Sequence, residues 1–427
     1  MDERTPTLTE IIHDRSFRAL LRLSLREAMT WDTFLQHPLP PNRSPLSVWD
    51  MLGSIGSCIG VHLFPDEEQN LLWYRRTHEL SDLVEEISRR SSKDSPLYEA
   101  LLDHADRTFS FELRLTEAVA ASRLAGVPVD RDHLEMHVRL GTPPEQPAER
   151  IVANAVAIDA DLPSLAGEPF SESLLFELHR RLIEGIEAED IRSLSTRYGD
   201  RPVDEDAWAL VRQQLQRIVS YAEREDDDGE DLSVLRGNLV ADALRYHRPF
   251  GIASTHVASL ASKLFYLKND LPVLAIAPIS EAKRRWTEGT LDEFTLCGPA
   301  EYESTRRRSC CDLTVHHTLS AECIALELDK IESRISGIAH RDRAARSMLS
   351  TDPRFNHRQR SILARALRTP LAEFHIRYHQ EKNRISYATA RRDLVELADA
   401  GYLRAEQRGK AFVFVADSRI EDLSRNL

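Results

Sequence analysis

Apolar residues recur along most of the chain at three- and four-residue intervals, the spacing that gathers them on one face of an α-helix. Between residues 107 and 335 this pattern predicts a succession of helices over 114–124, 149–157, 171–185, 206–224, 235–246, 254–268 and 309–335. Loops rich in Gly, Pro and Asp separate them. Residues 1–106 carry helical patterns of their own, interrupted around Pro38 to Pro45 and at Pro65, where a missing N–H and a fixed φ end a helix. Residues 336–354 read as a hinge. Strand-favouring residues are sparse, no segment repeats, and the expected class is mainly α.

The last module, 355–427, carries a different order of signals. Asn356 is placed to cap a helix running to Leu367, with Ile362, Leu363 and Leu367 on one face, until Pro370 breaks it. Residues 370–378, with Leu371, Phe374 and Ile376, predict a second short helix. Ser386 is a suitable N-cap for a third over 387–400, whose Ala390, Leu394 and Leu397 recur at core-facing spacing. Gly401 follows where a left-handed C-cap is wanted. Residues 402–405 and 411–415 then alternate enough to pair around a turn holding Arg408, Gly409 and Lys410.

Three helices followed by a β-hairpin wing describe a winged helix-turn-helix. In that geometry Tyr387, Thr389, Arg391 and Arg392 lie on or beside the front of the third helix, where base edges and phosphates are met, and Arg408 and Lys410 reach from the wing. DNA is the partner this predicts. Docking on protein is the alternative, because a fold does not fix a function.

Charge sharpens the division. The 427 residues carry a net −13, but residues 355–427 hold 14 Lys or Arg against 9 Asp or Glu, a net +5 that leaves −18 upstream. A basic module on an acidic body is expected, and nonspecific nucleic-acid binding by the whole chain is not. Five cysteines, two of them adjacent, make no disulfide framework and point to a reducing cytoplasm. No apolar run approaches a membrane span, and the acidic, polar start is unlike a signal peptide.

Cys310, Cys311, His316, His317 and Cys323 invite a metal reading. They fall in one predicted helix, where adjacent residues diverge by about 100°, so few could converge on one ion. A packing face is expected instead, with no metal and no cofactor. The acidic run at 223–231 lacks the ligand alternation of a calcium loop and reads as a solvated loop.

The stretch 385–403 resembles the terminal helix-turn-helix of bacterial regulators, and also the winged helix appended to many Fic-family proteins. The middle block is similar to the Fic family as well. Residues 117–126 (Glu-Ala-Val-Ala-Ala-Ser-Arg-Leu-Ala-Gly) resemble its inhibitory-helix region, and Asn154 lies in a helix like the next one. Residues 174–185 resemble the helix before the flap, and 271–280 the stretch after the active-site helix. The resemblance, over about 115–415, implies a Fic-like helical domain at 107–335, whose active relatives transfer AMP or another phosphate-linked group to a protein hydroxyl.

The family's signature runs His-Pro-Phe-x-Asp/Glu-Gly-Asn-Gly-Arg-x-x-Arg: a histidine base, an acid that holds a metal, a glycine-rich anion cradle and charge-neutralising arginines. The corresponding stretch here is 246–259, with His247, Arg248, Pro249, Phe250 and His256 at its centre. Aligned on Pro249 and Phe250, the histidine position holds Arg248, the acid Ile252, the asparagine Ser254, and the two arginines His256 and Ser259. A second register, equally open, puts Ala253 at the histidine and Val257 at the acid. Neither restores the metal ligand or the arginines. The inhibitory motif's Ser/Thr and Glu positions hold Ala121 and Ala125, and the target-docking segment shrinks to 191–203.

These departures imply a catalytically silent body with no catalytic residue; together with the winged helix, the expected protein is a homodimeric DNA-binding regulator whose body supplies dimerisation and a sensing pocket for an unidentified effector. Two alternatives stand beside it. One is a nucleotide or phosphoryl transferase with a reworked site around His247 and His256, holding anions on Arg245 and Arg248. The other is a protein-interaction module.

Overall fold

Side-chain caps set many of the helix starts in the computed structural model, which describes residues 13–66, 68–105, 107–197, 205–224, 232–291, 295–350, 353–368, 373–408, 411–417 and 419–420. Asp14, Thr30, Ser44, Thr77, Asp130, Ser171 and Ser386 each accept hydrogen bonds from backbone N–H groups of the first turn they precede. The chain is mainly helical, as the apolar periodicity predicts. It divides into two compact units: residues 1–99 with 105–331, and residues 100–104 with 332–427.

The first unit is built around two helices, Ser233–His247 and Ser254–Lys268. In the second of these every residue from Ser254 to Tyr266 is buried, so it lacks a polar face and forms the centre of the unit. The helices Arg107–Leu124, Pro147–Leu165, Glu172–Leu182, Pro272–Ile276 and Ile279–Thr287 belong to the same packed body. Gly237 lets the central pair approach. A Cβ there would lie 2.9 Å from Phe265 and closer still to Tyr266.

Residues 13–99 do not stand apart from this body, contrary to the division expected at 106. The core of Phe17, Leu20, Met29, Phe34, Val48, Trp49 and Leu52 is tied to the late helices by polar contacts. Trp49 Nε1 donates to Ser309 Oγ at 2.7 Å, and the Trp31 N–H donates to Thr305 Oγ1 at 2.9 Å. The region also holds a hairpin that helical patterning did not predict, Val61–Pro65 antiparallel to Leu71–Tyr74. Its edge is completed from far along the chain, with Trp73 N–H donating to Cys311 O and Leu313 N–H donating to Trp73 O.

That pairing delays the long helix expected from residue 309. It starts at Thr314, whose N–H donates to Asp312 Oδ1, and runs to Ser350, the first unit ending at Ile331. Cys310 and Cys311 therefore lie outside the helix. The stretch read as a hinge, 336–354, is helical to Ser350, with Gly337 its one helix-weakening residue before Pro353. Among the described residues no helix is long and apolar enough to cross a membrane.

The second unit contains His357–Arg368, the two-residue strand Phe374–His375, Ile376–Asn383, Tyr387–Asp399, and the hairpin Leu403–Arg408 with Ala411–Ala416. Asn356 caps the first helix, accepting from the N–H groups of Arg358 and Gln359, while Gln359 Oε1 accepts from the Asn356 N–H, a reciprocal capping box. The short helix expected over 370–378 is displaced. Phe374 and His375 pair with Phe414 and Val413, and the helix begins only at Ile376; 370–372 lie outside the described residues. The sheet order places the last strand between the other two. Ile362, Leu363, Phe374, Ile376, Ala390, Leu394, Leu397, Leu403 and Phe414 form its core.

Ser386 Oγ accepts from the Thr389 N–H at 3.1 Å, and Gly401 has φ 81°, both as read from the sequence. Ser386→Ala should lower the stability of this unit by about 1 kcal/mol. Amide exchange in the 387–399 helix, compared between the two proteins, measures it.

Candidate functional site

In the helical body, the segment 246–259 is a tight link between the two central helices. The Ser233–His247 helix ends in Arg248, whose φ of 48° is left-handed and whose N–H donates to Leu244 O. Pro249 and Phe250 are buried; Phe250 stacks on His179 with ring centroids 5.1 Å apart and meets Phe176 edge-on. The Phe250 N–H donates to Ser254 Oγ at 2.9 Å, and a 3-10 turn, Gly251–Ala253, leads into the next helix. Pro249 and Phe250 thus serve as an apolar plug.

The two histidines of the segment are differently placed. His247 stands at the half-buried end of one helix, and His256 lies in the core on the next, 3 % exposed. Burial pushes His256 down to about 4. The Ala118 backbone opposes this shift. A neutral, enclosed imidazole is not placed to meet a substrate. No Asp or Glu occurs from Tyr246 to Ser259.

The charged groups of the body lie elsewhere, and patterning did not single them out. Glu117, 3 % exposed, accepts from Ser259 Oγ at 2.5 Å, Ser280 Oγ at 2.6 Å and the Ser280 N–H at 2.8 Å. Asp242 accepts from Lys283 Nζ at 2.7 Å and Arg245 at 2.8 Å, with His316 Nε2 at 2.9 Å. Burial alone would raise the Asp242 carboxyl, but Lys283, His316 and Arg245 hold it well below the usual carboxylate range. Lys283 is itself brought down by burial, with Asp242 opposing.

Glu117, Asn238, Arg245, Lys263 and Lys283 line a cavity of about 10 Å³, room for about one water. Most of the network is satisfied by its own members, with Arg245 Nε left without a partner among the described residues, and the cavity has no space for a nucleotide. Asn154, matched by resemblance to a family helix, donates to the carbonyls of Leu182 and Glu184 and so closes the end of the Glu172–Leu182 helix. The shortened segment after Gly185 contains a helix, Ala188–Arg197, and 198–204 lie outside the described residues.

The cysteine and histidine group does not converge. His316 joins Asp242 and the Tyr302 hydroxyl, and His317 is enclosed against Tyr74. Among the described residues no group of three His, Cys, Asp or Glu could hold a metal ion.

In the second unit, the Tyr387–Asp399 helix has two distinct faces. Ala390, Asp393, Leu394 and Leu397 are buried. Tyr387, Ala388, Arg391 and Arg392 are exposed, at the i, i+1, i+4 and i+5 positions of one outward stripe. Thr389 is half-buried, its hydroxyl 2.8 Å from Ser386 Oγ, so it serves the cap as well as the face. Arg392 Nε lies 4.0 Å from Glu396, both exposed, a weak pair.

Asp393, one residue beyond, turns inward and braces three helices. Its carboxylate accepts from Arg358 Nε at 2.6 Å and Nη2 at 3.0 Å, from Asn356 Nδ2 at 2.9 Å and from His379 Nε2 at 3.1 Å. Burial would raise this carboxyl, and the Arg358, Asn356 and His379 hydrogen bonds bring it below its ordinary value. The tilt of the exposed stripe is thereby fixed by buried, charge-assisted hydrogen bonds. Arg384, exposed at the left-handed turn just before Ser386, is a further cation beside this face that sequence patterning passed over. Arg408 ends the first hairpin strand opposite Ala411; its side chain, with Gly409 and Lys410, lies outside the described residues.

No family model matches this sequence, and no curated protein matches it. Among solved structures, a Fic family protein from Desulfovibrio desulfuricans G20 is similar over 81 % of this chain and 98 % of its own, at 15 % identity and a TM-score of 0.46. A likeness of that order decides neither family nor activity.

Proposed function

We propose that this protein is a DNA-binding regulator, with a winged helix-turn-helix at its C-terminus and a Fic-like helical body that no longer carries out group transfer. The observation that carries the reading is the outward stripe of Tyr387, Arg391 and Arg392 on a helix whose opposite face is locked by Asp393. A helix so braced can present arginines to the major groove without losing its own orientation. The net +5 of residues 355–427 supports attraction to phosphates.

Silence of the body is supported by the chemistry of 246–259. With no carboxylate there to hold a metal against phosphates, the acid of the transfer is missing, and His256, enclosed in the core, is out of a substrate's reach as a base. The ordered resemblances from 117 to 280 support a Fic-like body. Two half-sites would be read by a homodimer, as is usual for such modules.

Fluorescence anisotropy with a selected duplex and a scrambled one tests the reading. Arg391→Ala should cost roughly 1–3 kcal/mol on the selected duplex and relax preference at one base position. If wild type and variant bind both duplexes equally weakly, the exposed stripe docks on protein.

A further inference from the structure

We propose that His133 and His137 form a binding site for a divalent transition-metal ion on the helical body, with its remaining coordination positions taken by water. The two residues are four apart on the Arg131–Leu140 helix, so both project from one face. That helix is held in rotation by Leu134, fully buried, and closed at its ends by Asp130 and the left-handed Gly141.

The outer nitrogens of both rings are engaged. His133 Nδ1 lies 2.9 Å from Oε2 of Glu149, whose side chain is 2 % exposed, and His137 Nδ1 lies 3.0 Å from Thr142 Oγ1. A carboxylate only accepts, so in the neutral ring of His133 the proton sits on Nδ1 and the lone pair on Nε2. A buried carboxylate behind a histidine that presents Nε2 is the support that orients histidine ligands in metal sites.

The inner nitrogens face each other, with Nε2 to Nε2 at 3.2 Å. With metal–nitrogen bonds of about 2.0–2.1 Å, that separation corresponds to an angle at the metal of about 100–105°, close to tetrahedral. The ring centroids are 4.6 Å apart. Two imidazoles aimed at one ion would place them about 5 Å apart, and a straight N–H···N bond about 5.4 Å apart. The observed separation is below both values and the rings meet edge to face at 71°, so the two nitrogens lie close together without lying in line. Imidazole donors suit zinc, copper or nickel and not magnesium or calcium. Because the described residues offer no group of three such ligands, the ion would keep open positions.

Isothermal titration of the untagged, chelator-stripped full chain with zinc chloride tests this. One ion should bind with a dissociation constant in the micromolar range. His137→Ala, a change at a half-exposed position, should weaken binding at least about tenfold, and Glu149→Gln by about 10–100-fold through loss of ring orientation. Circular dichroism of each variant checks that the helices persist. Replacing Cys310 and Cys311 with serine should leave the affinity unchanged. Absence of binding up to millimolar zinc overturns the proposal, and so does binding that survives in His137→Ala.

Discussion

Replacing His317 with leucine should stabilise the protein, and the gain should grow as the pH falls. The imidazole is completely enclosed, its ring 4.6 Å from that of Tyr74, and neither nitrogen has a hydrogen-bond partner among the described residues. Burial first, then the neighbouring His316 and Lys283, push it down to about 3, with Asp242 opposing. Its folded value therefore lies below the ordinary 6.5 of the unfolded chain. Between those two pH values the unfolded chain holds a proton that the folded one does not, so acid favours unfolding. The contribution is fully present above 6.5 and is lost on the way down. Each pH unit in that window is worth about 1.4 kcal/mol, so from pH 6.5 to 4.5 the leucine variant should gain about 2–3 kcal/mol on wild type. Other buried groups titrate in the same range, Glu322 among them, raised to about 7 by burial. The difference between the two proteins removes their contribution. Urea unfolding at pH 7.5, 6 and 4.5 measures it, and a pH-independent difference would contradict the assignment.

A larger loss is expected from Lys263→Ala. Lys263, 2 % exposed, donates to Asp159 Oδ2 at 2.5 Å from the centre of the most buried helix, and Arg114 Nε stands 3.5 Å from the other oxygen. Removing the lysine leaves a buried carboxylate with only the longer Arg114 contact among the described residues, which should cost about 3–5 kcal/mol. Replacing both partners together, Asp159→Leu with Lys263→Met, removes the stranded charge and should recover most of that loss. Denaturant midpoints of the single and double variants decide it. A loss below about 1 kcal/mol in Lys263→Ala would mean that Asp159 is solvated after the substitution.

What could be read from the chain follows the range of the interactions. The helix over 254–268 was predicted with the bounds observed, and Ser386 and Gly401 with their roles, because caps and helical periodicity act within a few residues. The hairpin Val61–Pro65 with Leu71–Tyr74 was missed because its strands are short and lean on residues 311–313. The strand at Phe374 needs Phe414, forty positions later, and reads as helix without it. Glu117 meets Ser259 and Asp159 meets Lys263 across more than a hundred residues, so each looks like an ordinary helix-surface charge in the sequence. The four-residue spacing of His133 and His137 was visible, whereas the Glu149 carboxylate that orients one of them was not. Asp393 is the sharpest case: the residue after two exposed arginines points inward, a fact set by Asn356, Arg358 and His379.

The claim that matters most is that the C-terminal unit reads DNA. An unbiased selection from a random duplex pool, made with the purified full chain at fixed salt, tests it directly because binding strength varies steeply with ionic strength. The account predicts enrichment of one motif, carried as two half-sites, and loss of that enrichment in a chain bearing Arg391→Ala and Arg392→Ala. A pool that stays random after repeated rounds, or a motif enriched equally by the double variant, would contradict it.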